Sequence, residues 1–147
     1  KKHKIYPSFI KILSIATTKK KFINKISKKF NCPIFYSTGH SSIKYICKDL
    51  LPVMKKKDYL IHTSFSGEII KQNISKMILM KSIYDNICYG LHCNKITPIF
   101  TAIGGGAKKI FAYIGNKKLN LKDKSHAIDI GQIKDFYKIA SDCFQSL

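Results

Sequence analysis

The chain has no arginine and no tryptophan, and only one of its eight acidic residues is a glutamate. All 27 basic side chains are lysine, and the formal charge is +19. Arginine's planar fork is the preferred partner of phosphate and guanine, so its absence counts against a dedicated nucleic-acid binder. Lysine alone supplies only the non-specific attraction. Lys, Ile, Asn, Tyr and Phe are abundant together, as AT-rich codons produce whatever the function. The lysines therefore read first as a solvated surface. Long apolar runs are missing too: none approaches the roughly 18 residues that cross a bilayer. Lys1-Lys2-His3-Lys4 is not followed by the apolar core and cleavage site of a secretory signal. A cytoplasmic protein with no membrane contact is expected. Five cysteines, with no Cys-x-x-Cys, fit free thiols in a reducing compartment better than a disulfide scaffold. Cys88, His92 and Cys93 lie close in sequence, but no second cluster completes the usual four zinc ligands. No metal and no cofactor is expected.

Strand-like and helix-like segments alternate along the chain. Ile10 to Ala16 reads as a buried strand, and Lys19 to Phe30 as a helix with Phe22, Ile23, Ile26 and Phe30 on one face. Pro33 breaks that helix before a second strand at Ile34-Phe35-Tyr36. Ser41 to Leu51 reads as a short helix, Tyr59 to Thr63 as a strand, and Gly67 to about Tyr89 as one long helix. Ile96 to Ile103 and Ile110 to Ile114 are expected as strands, although Pro98 argues against a regular central strand. Leu119 to Ile130 is polar and irregular, and Gln132 to Leu147 closes the chain as an amphipathic helix. The alternation implies one α/β domain over 1–147, a three-layer sandwich with a mostly parallel central sheet. In such folds ligands bind beyond the carboxyl ends of the strands. Two segments have that position: Thr17-Thr18-Lys19 and Ser64 to Glu68.

The lone glutamate, Glu68, sits in His62-Thr63-Ser64-Phe65-Ser66-Gly67-Glu68, between a strand and a helix-like stretch. An ordinary first-turn Glu favouring the helix dipole would look the same. The order of pieces resembles the sugar isomerase (SIS) domain, and within it the isomerase domain of arabinose-5-phosphate isomerases. The likeness runs from the first strand and its loop, through Asp49-Leu50-Leu51 and Lys55-Lys56-Lys57-Asp58, to Ser64-Phe65-Ser66-Gly67-Glu68-Ile69. It weakens beyond that block. The first loop, Ala16-Thr17-Thr18-Lys19, lacks the family's glycines, and Cys47 stands where the family has a histidine.

The resemblance implies a sugar-phosphate aldose–ketose isomerase without cofactor, working through an enediol, in a homo-oligomer. Ser64, Ser66 and Gly67, with Thr17 and Thr18, would cradle the phosphate at a helix start. Glu68 would transfer the proton, desolvated by partial burial beside the strand ends. Lys19 would stabilise the enediolate. Ring opening would fall to His40 or a histidine from a partner subunit, with His126 as second choice. Three alternatives stand beside this reading: a phosphosugar-binding SIS domain that has lost catalysis, a basic RNA- or ribosome-associated protein, and an unrelated α/β enzyme.

Overall fold

The computed structural model describes residues 6–116, 118–119 and 125–147. The chain divides into two compact units, Lys1–Ile61 and His62–Leu147.

The first unit opens with β1 (Ile10–Ile12), a one-turn helix α1 (Ser14–Thr17) and α2 (Lys20–Lys29). The apolar run expected as one strand to Ala16 thus turns helical after Leu13. Helix α2 forms where the spacing predicts it, burying Ile23 and Ser27 and keeping its lysines in water. Strand β2 (Ile34–Ser37) comes next, fully buried. Instead of one regular helix over Ser41–Leu51 there is a three-residue helix α3 (Ile43–Tyr45), a π-turn (Ile46–Leu50) and a 3₁₀ turn (Leu51–Val53). Strand β3 (Tyr59–Thr63) begins in this unit and ends in the next.

Within the first unit β2 is central: it pairs in parallel with β1 (Ile12↔Tyr36) and with β3 (Tyr36↔Leu60). Phe35 stacks on its partner Tyr59 at 4.6 Å. Two charges join the strands to their connections. Asp58 is buried, and its carboxylate accepts from Ile34 N at 3.0 Å and Lys55 N at 2.8 Å. Lys55 Nζ donates to the carbonyls of Ser27 and Phe30 at the end of α2, where a cation is favoured.

In the second unit the long helix expected from Gly67 is broken up. A 3₁₀ turn (Ile69–Gln72) leads to Asn73, which is left-handed (φ 50°) and caps α4 (Ile74–Ile83) by accepting from Lys76 N. The residues after α4 form strand β4 (Ile87–Gly90), not a helical extension. Ile96–Ile103, expected as a strand, is helix α5 (Thr97–Gly104), with Pro98 in its first turn. Strand β5 (Lys109–Phe111) pairs in parallel with β4. Between α5 and β5, Gly106 has φ +86°, and a Cβ there would lie 2.2 Å from Lys81 Cε.

A small parallel ribbon comes after β5, formed by β6 (Ile114–Gly115) and β7 (Ile128–Asp129), and α6 (Ile133–Gln145) closes the chain. The irregular segment expected over Leu119–Ile130 lies partly outside the described residues. The structure is therefore α/β with parallel strands, as the alternation implies. Among the described residues no helix is long and apolar enough to cross a membrane.

Candidate active site

The expected site residues fall in two places. Thr17, Thr18, Lys19 and His40 belong to the first unit. Thr17 is buried and donates to Leu13 O; Thr18 is exposed and donates to Ile15 O. Both hydroxyls thus serve the short turn that carries them. Lys19 is the exposed N-cap position of α2, and His40 is exposed beyond β2.

Ser64, Ser66, Gly67 and Glu68 form one loop in the second unit, and this loop is closed on itself. Ser64 Oγ donates to Lys71 O and Ser66 Oγ accepts from Glu68 N. Gly67 O accepts from Cys93 Sγ (3.1 Å) and from Asn94 N (3.4 Å). No long helix starts here to aim several N–H groups at an anion; the next element is a four-residue 3₁₀ turn. The cradle expected from the serines is therefore absent in that form. Glu68 is not desolvated either. Its carboxylate pairs with Lys71 at 2.6 Å, both side chains 60% exposed.

Beneath the loop lies Gln72, buried and fully engaged. Its Nε2 donates to Ser66 O (2.6 Å) and Glu68 O (2.9 Å), and its Oε1 accepts from Tyr89 Oη (2.8 Å). Its carbonyl accepts from His62 Nε2 at 2.9 Å. A carbonyl can only accept, so His62 carries its proton on Nε2. Nδ1 is then a bare acceptor, buried and without a hydrogen-bond partner among the described residues. Burial pushes the His62 imidazole below its ordinary value, against the Gln72 hydrogen bond, which acts to raise it. Burial also raises Tyr89.

The chemistry-bearing group that the structure assembles is a different one. Phe65, His92 and Tyr113 each sit two residues beyond a strand: β3, β4 and β5. Their rings meet. His92 lies 5.4 Å from Phe65, 5.4 Å from Tyr113 and 5.0 Å from His126; Tyr113 lies 4.9 Å from His126. The β6–β7 ribbon brings His126 in: Ile114 pairs with Ile128, and Ile128 N donates to Tyr113 O at 2.8 Å. His92 and His126 are half-buried. An imidazole can donate from one nitrogen and accept at the other, and the phenol can do both.

From the sequence, His92 reads only as a metal ligand, and His126 ranks behind His40. Reading residues up to Tyr89 as helix hid the strand end that places His92. Cys88 is sealed inside β4, and burial pushes its thiol up to about 12, away from the thiolate that binds metals. Among the described residues no group of three or more His, Cys, Asp or Glu could hold a metal ion.

No family model and no curated protein sequence matches the chain. Solved structures do. N-acetylneuraminic acid (sialic acid) synthetase from Leptospira borgpetersenii, in complex with citrate, superposes with a TM-score of 0.84 and 21% identity over 94% of this chain. Spore coat polysaccharide biosynthesis protein E from Chromobacterium violaceum gives 0.79 and 17% over 95%. Phospho-2-dehydro-3-deoxyheptonate aldolase from Thermotoga maritima gives 0.78 and 15% over 96%. This chain spans 50%, 44% and 46% of those chains respectively. These are barrel-like aldolase folds and not sugar isomerase domains, so the SIS resemblance and the isomerase function drawn from it are overturned. The Ser-x-Ser-Gly-Glu block, the sharpest part of that resemblance, is a self-bonded loop here. What the chain shares with these proteins is a fold.

Proposed function

We propose that this chain is part of a β/α-barrel enzyme of carbohydrate biosynthesis that makes or splits 3-deoxy-2-keto sugar acids. The observation that carries the reading is the meeting of His92, His126 and Tyr113 beyond the carboxyl ends of β4 and β5. Barrel enzymes build their active sites at that end of the strands. The strand order supports a barrel. A doubly wound sandwich places its first strand inside the sheet, with the second strand on one side and the third or fourth on the other. Here β2 is central, with β1 and β3 on either side. Right-handed crossovers that always step in one direction put every helix on one face of the sheet.

The names of two neighbours suggest the substrate class. N-acetylneuraminic acid and phospho-2-dehydro-3-deoxyheptonate are both sugar acids with a ketone at carbon 2 and no hydroxyl at carbon 3. Splitting such an acid needs a base to take the proton from the carbon-4 hydroxyl. The bond between carbons 3 and 4 then breaks, carbon 4 leaves as an aldehyde, and the electron pair passes into an enolate. The enolate takes a proton back at carbon 3. One imidazole of the His92–His126 pair takes the first proton and returns it as an acid. Tyr113 donates a hydrogen bond to the enolate oxygen.

The test is a mass-spectrometric assay of N-acetylneuraminic acid and the phosphorylated heptonate with the purified chain. Turnover is expected, falling about 10²- to 10⁴-fold in His92→Ala and in His126→Ala and unchanged in Glu68→Gln. No turnover of any 3-deoxy-2-keto acid, or turnover indifferent to both histidines, would reject the proposal.

A further inference from the structure

We infer that His62 is a proton-operated latch on the candidate site: when its buried ring takes a second proton it leaves Gln72, and the loop that carries Phe65 comes away from His92. Acid thereby opens the site and stops it working. The inference rests on the reading above only in taking His92 as part of an active site. The latch itself is geometry within the second unit.

Two side chains at the end of β3 close the loop onto the 3₁₀ turn that follows it. Ser64 Oγ donates to Lys71 O at 2.7 Å, and His62 Nε2 donates to Gln72 O at 2.9 Å. The Ser64 bond lies at the surface, where water can replace it. The His62 bond is buried, with His62 2% exposed and Gln72 1%. Gln72 carries the hold into the loop, because its side chain fixes the carbonyls of Ser66 and Glu68. Phe65 comes one residue before Ser66, and its ring lies 5.4 Å from that of His92. One buried hydrogen bond at the strand end therefore helps to set where Phe65 lies.

That bond suits the neutral ring, whose single proton is on Nε2. A second proton goes to Nδ1, the atom with no hydrogen-bond partner among the described residues. The result is a buried donor without an acceptor, on a buried cation, and both are costly. The groups around the ring do not offset this. Lys76 of α4 adds a positive charge that opposes the proton. Tyr89 of β4, its ring 6.2 Å away, is a phenol that burial keeps neutral. No carboxylate acts on the ring among the described residues; Glu68 lies in water beside Lys71. The Gln72 carbonyl favours the cation, but burial outweighs it. The imidazolium is thus most stable in water, and reaching water breaks its bond to Gln72. A solvated histidine titrates near about 6.5, so the release falls below that pH.

Nuclear magnetic resonance of the 147-residue chain reads the latch between about pH 7.5 and 5. In wild type the Overhauser contact between the Phe65 and His92 rings is expected to vanish as His62 titrates and to return at the higher pH. The amide signals of β4 are expected to stay in place. In His62→Gln, whose amide can still donate to Gln72 O but takes no proton, the contact is expected to persist across the range. Lys76→Met removes the charge that opposes the proton, and is expected to move the loss of contact to higher pH. It keeps His62, and so reads the latch even if His62→Gln does not fold. Any of five results would overturn the inference: a His62 ring that stays neutral across the range, a contact that survives its protonation, equal loss in His62→Gln, no upward movement in Lys76→Met, or loss together with the β4 signals. Turnover is expected to fall with the contact, and so at higher pH in wild type than in His62→Gln; equal profiles would remove the regulation and leave the reaction. The ring contact needs no substrate, so failure of the sugar-acid assay leaves it to be read.

Discussion

Gln72 shows how one side chain organises the ground beneath the candidate site. It joins β3 through His62, β4 through Tyr89, and the loop between them through Ser66 and Glu68. Gln72→Leu would leave the Tyr89 hydroxyl and two carbonyls without partners, and is expected to cost about 2–4 kcal/mol in urea unfolding. Tyr89→Phe removes a single hydroxyl and should cost about 1–2 kcal/mol, since it strands one acceptor on Gln72. His62 adds a pH dependence. Burial holds its folded value below the unfolded one, near about 6.5. The stability its neutral form contributes is therefore complete above that pH. It is lost as the pH falls toward and through the lower folded value, because the unfolded chain binds the proton more readily. Unfolding free energy measured from pH 7.5 down to 5 should drop less steeply in His62→Gln than in wild type; identical slopes would rule His62 out as the titrating group. Glu68, by contrast, is the residue that sequence made most conspicuous and structure makes least so. Its scarcity drew attention, but only packing could reveal that it lies in water beside Lys71.

At the scale of elements, local signals succeeded where one residue type decides the outcome. Amphipathic spacing predicts α2 and α6, and the run Tyr59–Thr63 forms β3. They failed where apolar segments are short. In ITPIFTAI only Thr97 and Thr101 mark the exposed face, too few to show its period, and Pro98, read as a flaw in a strand, is a helix-starting proline. ICYG at Ile87–Gly90 is buried on both faces and shows no alternation. The break before α4 depends on Asn73, whose left-handed backbone and capping side chain separate a 3₁₀ turn from a helix. Asn73→Gly keeps the backbone and loses the cap, and should cost a few tenths of a kcal/mol. Asn73→Ala loses both, at about 1–2 kcal/mol. Thermal melts of the two variants check this; equal midpoints would mean that neither the conformation nor the cap matters.

The whole molecule carries far more lysine than its acids can balance. Ion pairs among the described residues include Lys20–Asp49, Lys71–Glu68, Lys81–Asp85 and Lys108–Asp85, all at the surface. Such pairs contribute little, and the remaining positive charge repels itself in the compact state. Raising sodium chloride from about 10 to 150 mM shortens the screening length from roughly 30 to 8 Å and should raise the melting temperature. A midpoint that stays level would show the lysines already dispersed enough not to matter. Sequence by itself determined the class: alternation of apolar and polar segments demands α/β, and the lack of long apolar runs leaves no membrane-crossing helix. The order of strands and the company that His92 keeps were decided only by tertiary structure. Both depend on pairing between residues far apart in the chain, and nothing local to either partner records which neighbour it will meet.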